Sequence, residues 1–180
     1  TDDDYWLKFS AYNGTDGPGQ WLETLHPDMR FGFNRTRMPL TIQRTTTANQ
    51  FIVDDFHWTD RVVGDNQTNP RPYFIETGSN PGKKYIHRVL YWRNRLVIAT
   101  DSKLSLSAPN DIGNFWRESA LRTGPNDAIL IKSSQSYPSD LRQGVETNAG
   151  LVLFTENQQL LLTTDAETLT PENARLTPLS

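Results

Sequence analysis

Short runs of β-branched and aromatic residues recur along this chain, and Gly, Pro, Asn and Asp bound nearly all of them. Such runs favour β-strands, because branched and aromatic side chains pack well on a pleated surface and the bounding residues form turns. The pattern predicts strands near residues 5–10, 20–24, 40–46, 50–53, 85–92, 95–100, 103–107, 128–132, 150–154 and 159–164. Helical periodicity is weak and predicts only short helices near 116–121 and 139–145. The chain is therefore predicted to be all-β.

The segment 62–82 interrupts this strand pattern. It holds few apolar residues and includes Pro70, Pro72 and Pro81. An irregular connection of about 20 residues is rare inside a compact domain. We therefore expect a β-rich, sandwich-like or barrel-like platform over residues 1–61, a long irregular connection over 62–82 and a second β-rich part over 83–180.

The second β-rich part contains an internal echo, in which residues 95–103 resemble residues 150–158. Each copy is an apolar strand followed by Thr, an acidic residue and a polar turn. A recurrence with an offset of 55 residues is typical of successive β-propeller blades, with two ordinary hairpins as the alternative. Because 180 residues cannot hold a complete propeller and the chain starts with Thr1, we expect an incomplete fragment of a longer chain, or else an open sandwich.

Residues 111–116 fit the core of an Asp-box turn, Asp-x-Gly-x-x-Trp, with Asp111, Gly113 and Trp116 at the fixed positions. In such a turn we expect the Asp carboxylate to cap backbone N–H groups, the Gly to adopt a positive φ and the Trp to pack over the hairpin. Pro109 stands where a Ser or Thr is usual, so the match is partial. The motif predicts a structural turn and no catalytic group.

Two residue types bear on catalysis and metal binding. The chain has no cysteine, which excludes disulfides, thiol catalysis and cysteine zinc sites. His26, His57 and His87 are isolated in sequence and lack the spacing of metal ligands, so each is interpreted as a turn or strand residue with a local hydrogen bond. We therefore predict no catalytic, cofactor-binding or metal-binding residues and no cofactor.

A group of carboxylates offers one enzymatic alternative. Asp54, Asp55 and Asp60 flank Trp58, and a carboxylate pair beside an aromatic ring is typical of glycan-hydrolysing sites. The favoured interpretation is a strand end with aromatic residues, followed by a solvated polar loop. The chain is accordingly predicted to be no enzyme, with glycan hydrolysis as the low-ranked alternative.

A basic stretch at 83–95 is the strongest candidate contact surface. Its cations are Lys83, Lys84, Arg88, Arg93 and Arg95. Strand alternation divides them between two faces, so they do not form a single stripe. The net charge of −3 also gives no overall attraction to nucleic acid. We expect contact with another subunit or local pairing with acids, in preference to binding of DNA phosphates.

Several further motifs occur in a fixed order along most of the chain. They are Gln-Trp-Leu-Glu-Thr at 20–24 with Pro27, Arg-Met-Pro-Leu at 37–40, Arg-Val-Val-Gly-Asp-Asn-Gln-Thr-Asn-Pro at 61–70, Val-Leu-Tyr-Trp-Arg-Asn-Arg-Leu-Val-Ile-Ala-Thr at 89–100, Leu-Ser-Leu-Ser at 104–107, Asn-Phe-Trp at 114–116, Gly-Leu-Val-Leu-Phe-Thr at 150–155 and Leu-Thr-Pro at 169–171. In this order they resemble the tail tubular protein B, or nozzle protein, family of short-tailed (podovirus) bacteriophages. Arg37 and Leu40 depart from the Thr and His of that family.

The resemblance implies a structural virion protein. It would be a subunit of the hexameric tail nozzle, with propeller domains around a channel for DNA ejection. Its expected partners are further copies of itself, the tail adaptor ring, the tail fibres and double-stranded DNA in transient passage, without membrane insertion. The expected location is the virion tail, after assembly in the host cytoplasm. The alternatives are a propeller-type glycan-binding or glycan-hydrolysing module acting on the bacterial surface, and a scaffold module unrelated to phage.

Overall fold

The computed structural model describes residues 5–29, 32–34, 38–75, 86–133 and 140–179. Within these ranges the chain is all-β, with twelve strands, one short 3-10 helix and no α-helix. The strands are β1 (Trp6–Ala11), β2 (Gly19–Thr24), β3 (Leu40–Arg44), β4 (Phe51–Asp55), β5 (Arg88–Trp92), β6 (Arg95–Thr100), β7 (Lys103–Leu106), β8 (Ile129–Lys132), β9 (Leu141–Thr147), β10 (Gly150–Thr155), β11 (Gln159–Thr163) and β12 (Arg175–Pro178). The 3-10 helix is Tyr73–Ile75.

The strands form two separate hairpins and two four-stranded antiparallel sheets. The hairpins are β1–β2 and β3–β4. The first sheet has the order β5-β6-β7-β8 and the second has the order β9-β10-β11-β12. The two copies of the internal echo occupy equivalent places, because β6–β7 and β10–β11 are the central strands of their sheets. Both sheets are open at their edges, so a closed propeller remains a prediction.

The main hydrophobic core lies between the two four-stranded sheets. Its fully buried members come from the central strands of both sheets and include Leu104, Leu106, Leu153 and Leu162. Removing a leucine side chain from water stabilises a fold by about 1.5–3 kcal/mol. The packing of one sheet face against the other is therefore the main source of stability in this part of the chain.

Gly144 on β9 allows the two sheets to approach each other closely. A Cβ atom at this position would lie 2.5 Å from Leu90 Cδ1 and 3.1 Å from Leu153 Cδ2. We expect Gly144→Ala to lower the free energy of unfolding by about 1–3 kcal/mol through overpacking. Urea denaturation measures this loss. Gly124→Ala is the matched control, because the nearest atom to its Cβ is an Asp127 carboxylate oxygen at 3.7 Å. Equal losses for both variants would contradict the prediction.

A second, aromatic layer covers the opposite face of the first sheet. Trp58, Ile98 and Phe115 are buried there, and Phe33, Phe56 and Phe74 are among the side chains packed around them. Residues before position 62 and residues of the segment 62–75 thus pack on the first four-stranded sheet. The division of the chain at 61 and 83 remains a prediction, and residues 76–82 lie outside the described ranges.

Both predicted short helices are wrong. Residues 116–121 are irregular, because side chains elsewhere in the fold accept hydrogen bonds from the backbone N–H groups of Arg117, Glu118 and Ala120. The 139–145 prediction falls largely on β9, which pairs with β10 and begins at Leu141. Residue 139 itself lies outside the described ranges. The strand β12 was not predicted, because its Arg-Leu-Thr-Pro sequence has a single apolar residue.

Candidate functional site

The motif at residues 61–70 folds into a compact loop around Arg61, whose side chain is 1% exposed. Its Nη1 donates to the carbonyl oxygens of Asp65 at 3.1 Å and Asn69 at 2.9 Å. The guanidinium lies 5.0 Å from the centre of the Trp116 ring, a cation–π distance. Burial lowers the pKa of Arg61, and Arg71 adds to this lowering while Asp65 opposes it. The buried cation therefore organises the loop by satisfying backbone carbonyls.

The Asp65 side chain stabilises the same loop by accepting hydrogen bonds from residues within it. One of its carboxylate oxygens accepts from the N–H groups of Gln67 at 2.8 Å and Thr68 at 2.9 Å, and from the Thr68 hydroxyl at 2.9 Å. These hydrogen bonds, led by that of the Thr68 N–H, lower the pKa of Asp65. Gly64 has a φ of 76° and no room for a Cβ beside Thr68, which explains glycine at this position.

Asn69 connects this loop to the segment that follows Trp116. Its amide nitrogen donates to the carbonyl oxygens of Val63 at 3.0 Å and Arg117 at 3.2 Å, and its amide oxygen accepts from Arg117 N–H at 2.9 Å. The side chain is buried, so these bonds are shielded from water. Asn69 therefore holds two segments that are 48 residues apart in sequence.

Glu23 at the end of β2 connects the first hairpin to the same segment. Its carboxylate accepts from the Ser119 hydroxyl at 2.8 Å and the Ala120 N–H at 2.6 Å. A parallel bridge between Leu25 and Gly64 lies beside it. We call this arrangement of Glu23, the loop 61–70 and the segment 117–120 the junction. The junction fixes the β1–β2 hairpin against the first sheet.

The structure separates the members of the predicted basic stretch. Lys83 and Lys84 lie outside the described residues. Arg88 is exposed and donates from Nε to Gln143 Oε1 at 3.0 Å, and Arg93 is exposed and donates to the Glu167 carbonyl at 2.6 Å. Arg88 and Arg93 thus retain surface positions, and both reach from the first sheet toward the second.

Arg95 was predicted as a possible subunit or DNA contact, and in the structure it is buried, with 0% of its surface exposed. Its guanidinium donates to four carbonyl oxygens, those of Ser107 (2.6 Å), Asp127 (2.8 Å), Pro125 (3.0 Å) and Leu169 (3.0 Å). Desolvation lowers the pKa of Arg95 to about 10, against the opposing effect of Asp127. Arg95 therefore ties loops of the first sheet to the β11–β12 loop of the second.

The motifs that form these contacts match a known family along the entire chain. The sequence model of the bacteriophage nozzle protein family covers residues 1–180. The chain belongs to the bacteriophage nozzle protein family. It is also 26% identical over 174 residues to the tail tubular protein gp12 of Escherichia phage T7, a match covering 97% of this chain and 20% of the relative. The resemblance predicted from the sequence is confirmed, and the chain spans about a fifth of that relative.

Residues of the junction lie in two of the motifs by which the sequence resembles the nozzle family. Glu23 lies in the Trp-x-Glu-Thr motif, and Arg61 and Asn69 lie in the motif at 61–70. The order of these motifs was visible in the sequence, whereas their contacts with the segment 117–120 were not. Contacts over separations of 48 and 97 residues depend on the tertiary fold and leave no local pattern.

The predicted Asp-box turn differs in its details from the expectation. The backbone carbonyl of Asp111, and not its carboxylate, accepts from the Asn114 N–H at 3.2 Å, while the Asn114 side chain accepts from the Trp116 N–H at 3.0 Å. Positive φ occurs at Asn110 (60°), whereas Gly113 is packed against the His57 carbonyl, where a side chain would clash. Trp116 is buried and donates from Nε1 to the Thr59 carbonyl at 2.8 Å.

The side chains of the alternative glycan site are not arranged around a sugar-stacking ring. Trp58 is 4% exposed, and its ring contacts Phe33, Phe56, Phe74 and Phe115 in the aromatic layer. Asp54 and Asp55 are exposed at the end of β4. A shallow cavity of about 120 Å³ beside Asn69 is smaller than the roughly 300–1,000 Å³ typical of ligand pockets.

The β3–β4 hairpin, which we call the arm, exposes large apolar side chains. They include Ile42 at 70%, Phe51 at 66% and Val53 at 60% exposure. Ile42 pairs with Val53 and Arg44 with Phe51, so these three apolar side chains share one face. A two-stranded hairpin is marginally stable alone, and this one leaves its apolar face exposed. No helix among the described residues is long and apolar enough to span a bilayer.

Proposed function

We propose that this chain forms part of a subunit of the hexameric phage tail nozzle, whose walls enclose the channel for DNA ejection. The observation that carries the proposal is the match of the nozzle family over residues 1–180. A relative named tail tubular protein supports the same structural role in the virion tail. In this role the protein makes and breaks no covalent bond.

The two four-stranded sheets suit a stiff wall. Among the described residues, a cluster of apolar side chains fills the space between the sheets, and Arg95 joins loops of both sheets. Close-packed interiors have low compressibility and resist deformation. Such a wall would keep its shape while DNA passes, which a conduit requires and a flexible linker would not provide.

The stacked sheets also support a β-propeller as the architecture of the parent protein. Each is a four-stranded antiparallel meander, as a propeller blade is. The uncovered face of the second sheet carries Val145, Val152 and Leu161, which the strand register places side by side. Val145 is 48% exposed, so this face is available to a third sheet. Residues 83–180 would then be two successive blades, with residues 1–61 as the platform.

The arm supports contacts around a ring. A closed ring of more than two subunits is built from contacts between two different faces of neighbouring subunits. The apolar face of the arm would make one side of such a contact. Arg88 and Arg93 remain candidates for subunit contact, as do Lys83 and Lys84. The adaptor ring, tail fibres and passing DNA are the further partners we propose. The net charge of −3 suits a channel that does not retain DNA.

The arm provides a direct test. In the full-length parent protein we expect Ile42→Asp combined with Val53→Asp to prevent ring formation and leave folded monomers. Analytical ultracentrifugation and electron microscopy would show the loss of six-fold rings. Gln43→Asp is the matched control, because Gln43 is exposed on the opposite face of β3 and should leave the rings intact. A parent protein without six-fold rings, or release of reducing ends from bacterial polysaccharide that Asp54→Asn abolishes, would overturn the proposal.

A further inference from the structure

Three metal-ligating side chains meet at the edge of the interface between the two sheets. His87, Asp101 and Asp140 each place one ligand atom so that all three atoms lie within 4.8 Å of one another. The His87 Nε2 and Asp101 Oδ1 atoms are 3.5 Å apart. All three residues are partly buried. Ligand atoms bound to one metal ion at about 2.0–2.3 Å are separated by about this distance.

The backbone fixes the approach of these ligands. His87 precedes β5 and Asp101 lies in the β6–β7 turn, so both belong to the first sheet, whereas Asp140 precedes β9 of the second sheet. The Leu141 N–H donates to the Asp101 carbonyl at 2.9 Å, and the His87 N–H donates to the Ala99 carbonyl at 2.9 Å. The ligands are therefore held by both sheets in their packed arrangement.

Among the residues that the structure describes, few cations lie near the carboxylates of this cluster. Within the described ranges, Asp101 has no Lys or Arg within ion-pair distance, and the His87 Nε2 atom lies 3.5 Å from its carboxylate. Asp140 lies 3.9 Å from Arg142, which forms a closer ion pair with Glu156. The carboxylates of Asp101 and Asp140 therefore lie close together, and the nearest of these cations, Arg142, is shared with Glu156. Because like charges in contact are unfavourable, a bound cation would stabilise their convergence.

We propose that His87, Asp101 and Asp140 form a binding site for a divalent transition-metal ion that clamps the two sheets together. An imidazole with two carboxylates suits Zn²⁺ or Mn²⁺ better than Ca²⁺ or Mg²⁺, which bind oxygen ligands. Water would complete the coordination, since the cluster supplies three ligands. Binding requires both sheets in place, so the metal stabilises the packed state over the open one.

Metal titration of the full chain tests this site. After removal of metal with EDTA and dialysis, we expect ZnCl₂ and MnCl₂ to bind at one saturable site in calorimetry. At a free metal concentration about 100-fold above the dissociation constant, the melting temperature should rise by about 5–10 °C. We expect Asp101→Asn and Asp140→Asn each to weaken binding at least about tenfold, since a second-shell change alone has effects of that size. Asn also tolerates the φ of 47° at Asp101.

One further variant tests the nitrogen ligand, and another serves as the control. His87→Gln should weaken Zn²⁺ binding more than Ca²⁺ binding, because it removes the nitrogen ligand. Asp111→Asn is the matched control, because Asp111 is an exposed aspartate in another turn. Melting temperatures in EDTA would show that each variant folds. The absence of a saturable metal site in the unsubstituted chain would overturn the proposal. Metal binding that neither Asp101→Asn nor Asp140→Asn weakens would also overturn it.

Discussion

Replacing Arg95 by methionine is expected to lower the free energy of unfolding by about 3–5 kcal/mol. Methionine retains much of the apolar stem but donates no hydrogen bond. Four carbonyl oxygens, on Ser107, Pro125, Asp127 and Leu169, would lose their common donor. The buried Asp127 would also lose its nearby positive charge. Urea denaturation followed by tryptophan fluorescence measures the loss.

Arg93→Met is the matched control for this prediction. Arg93 lies two residues away and is exposed, with one hydrogen bond to the Glu167 carbonyl. Its replacement should change the free energy of unfolding by less than about 1 kcal/mol. If both variants lost the same stability, Arg95 would not be the tie between the sheets that its four bonds indicate.

Asn69→Leu is expected to lower the free energy of unfolding by about 2–4 kcal/mol. Leucine has a similar volume, so the loss would come from hydrogen bonding and not from a cavity. The substitution leaves the Arg117 N–H and the carbonyl oxygens of Val63 and Arg117 without their partner. Each buried polar group without a partner costs about 1–3 kcal/mol. Thermal and urea denaturation both report the effect.

The control for Asn69 is Asn126→Leu. Asn126 is exposed in the turn before β8, and its replacement should be nearly neutral. Hydrogen exchange adds a readout specific to the junction. Relative to the unsubstituted chain, Asn69→Leu should accelerate hydrogen exchange at the Arg117 and Ala120 amides more than at the amides of β10 and β11. Uniform acceleration throughout the chain would argue against a local role for Asn69.

The strands were predictable because their signal is local. A few consecutive residues are enough to predict a strand in runs such as Leu-Val-Ile-Ala at 96–99 and Leu-Val-Leu-Phe at 151–154. The internal echo likewise predicted the equivalence of β6–β7 and β10–β11. The strand β12 was not predicted, because its conformation depends on pairing with β11. The conformation of the segment 116–121 was predicted wrongly, because it depends on hydrogen bonds to distant side chains.

The candidate sites were less predictable, for a related reason. Strand alternation divided the cations of the basic stretch between two faces, but alternation does not reveal that loops of both sheets surround Arg95. The meeting of His87 with Asp140 spans two sheets, so no spacing rule for metal ligands detects it. Burial of a charged residue and convergence of ligands both follow from sheet packing, which a single sequence does not display.

The tie made by Arg95 has a consequence for the conditions in which the fold persists. A chain without cysteine has no disulfide bond that reducing agents could break or oxidants could form. The guanidinium joins the loops around residues 107, 125, 127 and 169, and with a pKa of about 10 it keeps its proton in any neutral medium. These hydrogen bonds therefore hold the loops together in reducing and in oxidising surroundings alike.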